Sequence, residues 1–308
     1  MWRRMGWLPG EESAVGSTVT IASRPPAPRP PGSPSPDGPV ARSRSRRIWS
    51  FLVEMGVLVG LFAAYNVIRA GWGDDPVAAM ARAREIAQFE GGLFSSVELR
   101  LNEWIVGVPV LAVATCYFYA LLHYAMTPTV LLLSRRRGGR RYWRGYWALV
   151  LASAIALVGY ALLPTAPPRL MPELGTIDVM AHFADYGWWG SAASAPRGLG
   201  DATNQYAALP SLHFGWSLWC AVQLWGFGSL RWRVVAVAYP SLQVFAVLST
   251  ANHFIVDVVA GGACVVVAFV VVELVQRGVE AVRSARSARG VRRPAGGAPT
   301  PRARRAGP

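Results

Sequence analysis

Three short segments carry the side chains best suited to chemistry. "ALPSLHFGWSLW" (207–218) places Ser211 and His213 inside a strongly apolar stretch. "STANHFIVDVVAGG" (249–262) places His253 and Asp257 four residues apart, so on a helix they share one face about one turn from each other. "LLPTAPPRLMPELG" (162–175) carries Arg169. A histidine with one ring nitrogen held by a carboxylate is fixed in one tautomer and made more basic, which prepares its other nitrogen as a nucleophile or base. A second histidine can protonate a leaving alkoxide, and an arginine fork with a helix N-terminus can hold phosphate oxygens. The set suits phosphoryl transfer and requires neither a metal ion nor another cofactor.

The elements that must bring these segments together are membrane spans. Of 308 residues, 53% are hydrophobic and only 16% charged, a balance too apolar for an ordinary soluble domain. Mostly apolar windows recur near 48–70, 104–126, 146–163, 210–226, 233–250 and 254–276. Each approaches the length needed for a bilayer core of roughly 30 Å at about 1.5 Å per residue, with tilt making up the shorter ones. The sequence therefore predicts an all-α integral membrane protein: a six-helix bundle over 48–276, with an interfacial helix near 77–90 and an outer cap from 165–209. Residues 1–47 read as a disordered Pro/Arg-rich arm and 277–308 as a disordered basic tail, because 22–47 and the stretch from about 281 have almost no apolar residues with which to bury a core. No cleavable signal peptide is expected, since the first apolar stretch begins near 48 behind a basic arm.

Arginine distribution sets the expected orientation. All 31 basic residues are arginine, and they concentrate in the N-terminal arm, in 134–144, in 230–233 and in the C-terminal tail. The positive-inside rule assigns these four regions, and both termini, to the cytoplasm. Segment 71–103 carries Asp74, Asp75, Glu85, Glu90, Glu98 and Glu103 against three arginines, and 164–209 holds only Arg169 and Arg197 as basic residues, so both belong outside. The net charge of +14 then reflects orientation and contact with anionic lipid headgroups, and nucleic acid is not an expected partner. Under this topology Pro210 takes the first helical position of the fourth span, and Ser211, His213, His253, Asp257 and Arg169 meet at one extracytoplasmic level. Cys116, Cys220 and Cys264 lie singly in three spans and read as packing residues. His123 and His182 read as interfacial and surface residues.

These residues also carry a resemblance. "PSLH" (210–213), "NHFIVD" (252–257) and "PTAPPR" (164–169) resemble the type 2 phosphatidic acid phosphatase superfamily. "ARAREIAQFEGGLFSSVELRLNEW" (81–104) and "NQYAALPSLHFGW" (204–216) are similar to its bacterial branch related to inositol phosphorylceramide synthase, an inositolphosphotransferase. The resemblance implies that His253 is a nucleophile forming a phosphohistidine, that Asp257 orients it, that His213 is the general acid, and that Arg169 and Ser211 hold phosphate. It departs from the superfamily pattern at Leu162 and Val247, where phosphate-binding lysine and arginine are otherwise found, and at Leu170 and Ala246. Asn252 and Arg197 are the expected substitutes for the missing cations. The implied activity is a multi-pass cell-membrane phosphatase or phosphotransferase acting on a lipid phosphate, a prenyl phosphate or a lipid phosphodiester. Its acceptor is water or an alcohol such as inositol. The alternative is a non-catalytic polytopic protein, a transporter or scaffold, that kept the fold.

Overall fold

Proline and glycine mark where the helices of this chain begin and bend. The structure, a computed structural model, describes residues 39–71, 75–189 and 205–291. Contacts divide the chain into two units, 1–52 and 53–308. The first contributes only the beginning of α1 (Pro39–Gly71) to the described residues, and the second contains all the other helices.

Helix α2 (Pro76–Val106) starts with Pro76 in its first turn, and the Asp75 carboxylate accepts the Ala78 N–H at 3.0 Å. It bends at Gly91, whose φ of 60° and ψ of −173° lie outside the helical region and favour a residue without a Cβ. Helix α3 (Pro109–Arg137) likewise starts at a proline, three residues after α2 ends, so the window expected to begin at 104 is divided between two helices. Arg135, Arg136 and Arg137 form the last turn of α3, where cations complement the helix dipole, and only Gly138 separates that turn from α4 (Gly139–Leu162). The expected basic loop at 134–144 is thus almost entirely helical. The cap after α4 contains short 3₁₀ turns and α5 (Val179–His182); the chain then forms α6 (Leu212–Trp225), α7 (Leu230–Ser249) and α8 (Ile255–Val291).

Among the described residues, four helical stretches are long and apolar enough to cross a membrane: Pro109–Arg137, Gly139–Leu162, Leu230–Ser249 and Ile255–Ser287. Of the other two expected spans, 48–70 falls within the 33 residues of α1, and α6 has 14 residues, about 21 Å of helix against a core of roughly 30 Å. Val259, Val266, Val270 and Leu274 leave one side of α8 apolar and exposed, as suits lipid contact.

Helix α6 packs against α3, α4, α7 and α8. Its Trp219 is fully buried among Tyr146, Leu149 and Tyr239, with the indole N–H donating to the Gly145 carbonyl at 2.7 Å. At the end of α4 remote from the cap, Arg140 pairs with Glu273 of α8 at 3.0 Å. A close backbone approach in this core sets the site. His253, Asp257, Gly261 and Val265 recur every four residues, and Gly261 faces the start of α6, where a side-chain carbon would collide with the Ser211 carbonyl oxygen.

Gly261→Ala therefore tests the packing. Alanine gains about 1 kcal/mol of helix propensity, but the atom it meets is backbone and cannot rotate away, so overpacking of about 1–3 kcal/mol outweighs that gain. The variant should unfold at lower temperature in detergent, whereas Gly278→Ala, further along α8 with nothing within 4 Å, should be neutral or stabilising. Equal stability of the two variants would contradict the close approach of α6 and α8.

Candidate active site

The end of α4 and the segment before α6 lie side by side. Thr165 N–H donates to the Tyr206 carbonyl at 2.7 Å, and Ala208 N–H donates back to the Thr165 carbonyl at 3.2 Å. This pairing leaves the Ala208 carbonyl directed at His253, whose Nδ1 lies 2.9 Å from it. The same nitrogen is 3.4 Å from Asp257 Oδ2. A carbonyl oxygen can only accept, so Nδ1 carries the proton and Nε2 keeps its lone pair. Asp257 Oδ2 also accepts the Phe254 N–H at 2.8 Å, which ties the carboxylate to the first turn of α8. Both His253 and Asp257 are buried, and Asp257 Oδ1 meets no protein donor among the described residues.

Ser211 is the N-cap of α6 rather than a residue of its first turn: its side chain accepts the Phe214 N–H at 3.5 Å. Pro210 consequently precedes the cap, and the first helical residue is Leu212, two positions later than expected. Ser211 also donates its own N–H to the Asp257 carbonyl at 2.9 Å, joining the starts of α6 and α8 directly. His213 follows in the first turn of α6, and its ring centroid is 5.7 Å from that of His253. Its Nε2 is buried without a protein partner among the described residues.

Arg169 sits in a 3₁₀ turn, Pro168–Leu170, whose prolines favour the bend. Its backbone N–H donates to the Ala251 carbonyl at 2.8 Å, its Nε to Asn252 Oδ1 at 3.1 Å, and its Nη1 to Asp178 Oδ2 at 3.1 Å. Asn252 is held in turn, its amide donating to Thr250 Oγ1 at 2.8 Å. The arginine is thereby fastened to the residues immediately before His253. Ala251 adopts a φ of 55°, in the left-handed region, so that the chain can turn from α7 into α8 there. Arg197 falls in 190–204, outside the described residues.

Two features were not expected. His123 is buried in α3; its ring centroid is 4.4 Å from that of His213, while Tyr119 stacks on His213 at 4.3 Å. Tyr119 and His123 are four residues apart, a spacing that could have been read as one helix face, but their meeting with α6 requires the tertiary packing. Glu90 and Glu98 are also buried, against the start of α8. His182 is exposed, as expected. Cys116, Cys220 and Cys264 are free thiols, the first two buried.

The imidazole lone pair, the second imidazole and the held guanidinium are the parts that phosphoryl transfer uses, and the family comparison points the same way. The family model described as PAP2 superfamily matches residues 84–271, more than half of the chain. The chain belongs to the PAP2 superfamily. Membership makes it a membrane protein of phosphatase or phosphotransferase type, and the matched region runs from α2 into α8 and includes every candidate residue above. No match to the chain was found among curated proteins or among solved structures.

Proposed function

We propose that this PAP2 superfamily protein is a cell-membrane phosphatase or phosphotransferase that acts on a lipid phosphate or phosphodiester through a phosphohistidine on His253. The observation that carries the reading is the engagement of His253 Nδ1 by Ala208 and Asp257, which leaves Nε2 with its lone pair. Nε2 attacks phosphorus and forms the N–P bond as the P–O bond to the leaving group breaks. His213 gives its proton to the departing alkoxide, and an acceptor then attacks the phosphohistidine with His213 taking the acceptor's proton. Water as acceptor gives hydrolysis; an alcohol such as inositol gives transfer, in keeping with the likeness to the inositol phosphorylceramide synthase branch. Arg169, with Ser211 and the N–H groups at the start of α6, holds the phosphate oxygens, Asn252 steadies Arg169, and Arg197 is the candidate second charge. In this reading α1 and α6 complete six spans, both termini are cytoplasmic, and the site opens outside, where a lipid or prenyl phosphate enters with its tails in the bilayer.

The test is purified protein incubated with phosphatidic acid, a prenyl phosphate and an inositol phospholipid, with and without alcohol acceptors, following released phosphate and new lipid by mass spectrometry. Turnover of at least one substrate is expected. Arg169→Leu should abolish it, and Arg169→Lys should restore little, because a point charge cannot bond Asn252 and Asp178 together as the guanidinium does. Near-normal turnover in Arg169→Leu would remove this residue from phosphate binding, and no turnover by the unaltered protein would overturn the enzymatic reading.

A further inference from the structure

The start of α8 is held by two acidic side chains that the phosphoryl-transfer scheme does not use. Ile255 N–H donates to Glu98 Oε1 at 2.7 Å, and Val256 N–H donates to Glu90 Oε1 at 2.7 Å. With the Phe254 N–H on Asp257, three consecutive amides at the beginning of the helix each meet a carboxyl oxygen. Such amides have no partner inside their own helix, and the positive end of the helix dipole favours acceptors there. Glu90 and Glu98 are eight residues apart, about 12 Å along a straight helix, yet they reach adjacent amides because α2 bends at Gly91 between them. The bend, the two glutamates and the start of α8 form one device.

We propose that Glu90 and Glu98 are positioning residues, which clamp the first amides of α8 and so fix where His253 and Asp257 stand relative to the phosphoryl group. The role in catalysis rests on the proposed phosphoryl transfer; the clamp itself does not. Serine, threonine or asparagine would cap the same amides without burying two acids, so capping alone does not account for this choice of residues.

The pair is built to share a proton. Burial, and then the negative charge of Glu90, push the Glu98 carboxyl up to about 8, and burial also raises Glu90. Glu90 Oε2 is buried and accepts from no protein N–H or O–H among the described residues; a proton on Glu98 directed at Glu90 supplies the missing donor. The charges that bear most on Glu98 are Glu90 of its own helix and Asp257 of α8; α3 and α7, which also pack on α2, add none of comparable effect. As pH rises through about 8, Glu98 loses its proton and the pair gains a negative charge. The two glutamates and Asp257 then repel one another at the start of α8, and turnover should fall.

The experiment compares the full chain with its Glu98→Gln and Glu98→Ala variants in detergent, measuring kcat against pH and amide hydrogen exchange over 254–258. Glutamine keeps an acceptor for Ile255 and a donor for Glu90, so Glu98→Gln should turn over near normally at neutral pH and lose the decline near pH 8. Glu98→Ala should lower kcat about 100-fold, the scale of a displaced reacting group, with KM little changed and faster exchange over 254–258. Unchanged exchange in Glu98→Ala would overturn the clamp, whether or not any lipid phosphate is turned over. If the unaltered protein is active, an unchanged kcat in Glu98→Ala would overturn the positioning role, and an alkaline decline that persists in Glu98→Gln would overturn the shared proton.

Discussion

Replacing His253 with alanine should abolish turnover of every lipid phosphate and remove any acid-labile phosphoenzyme. His213 is the imidazole beside His253, but its ring is confined between Tyr119 and His123 and its centroid is 5.7 Å from that of His253. Asp257 is fully buried, and its Oδ2 is engaged by Phe254 and His253. Neither replaces an imidazole whose Nδ1 proton is already fixed by the Ala208 carbonyl. Loss of a covalent nucleophile costs on the order of 10⁶-fold when no other group takes over the attack, so activity should fall to background. The check is rapid acid-free quenching after mixing with labelled substrate, followed by measurement of protein-bound label in the unaltered protein and in His253→Ala. Label retained by the variant would place the nucleophile elsewhere.

His213→Ala should behave differently, because a proton donor can be dispensed with when the leaving group is good. With an alkyl lipid phosphate, turnover should fall by roughly 10²–10⁴-fold, the usual contribution of general acid catalysis. An aryl phosphate departs as a weakly basic phenolate, so formation of the phosphoenzyme should be partly spared in His213→Ala and not in His253→Ala. The contrast depends on the two rings lying on different helices, His213 in the first turn of α6 and His253 just before α8, so that one can face phosphorus while the other faces the leaving oxygen. Single-turnover rates of leaving-group release from alkyl and aryl substrates in both variants provide the comparison. An equal loss on both substrates in His213→Ala would remove it from protonation.

The four-residue spacing of His253 and Asp257 made their pairing legible, but His253 lies two residues ahead of Ile255, where α8 begins, so the two meet at the helix start rather than along one helical face as expected. The approach of Arg169 was legible from topology, since the end of α4 and the start of α8 had to share one level; its bonds to Ala251 and Asn252 were not. The Ala208 carbonyl, the nearer partner of His253 Nδ1, has no signature in sequence, because any residue type supplies a carbonyl and the contact spans 45 positions. Glu90 and Glu98 entered the sequence reading only as charges that set orientation. Their burial depends on the bend at Gly91, which hydropathy does not register. Helix ends were displaced for local reasons: Pro109 starts α3 later than its apolar window, and the arginines of 135–137 extend α3 beyond it. The apolar windows all fall on helices, one of them divided between α2 and α3, but hydropathy did not distinguish the four stretches long enough to cross a membrane among the described residues from the 14 residues of α6.

The central claim is covalent transfer to His253 Nε2, and the His213→Ala variant supplied with an aryl phosphate tests it most directly. The good leaving group lets the first step proceed, while the second step lacks the imidazole that would take the proton from water, so the intermediate should accumulate. Intact-protein mass spectrometry at neutral pH should show one added phosphoryl group, and fragmentation should place it on His253, stable to base and lost in acid. An unmodified protein that still turns over the aryl phosphate, or a phosphoryl group on any other residue, would contradict the mechanism.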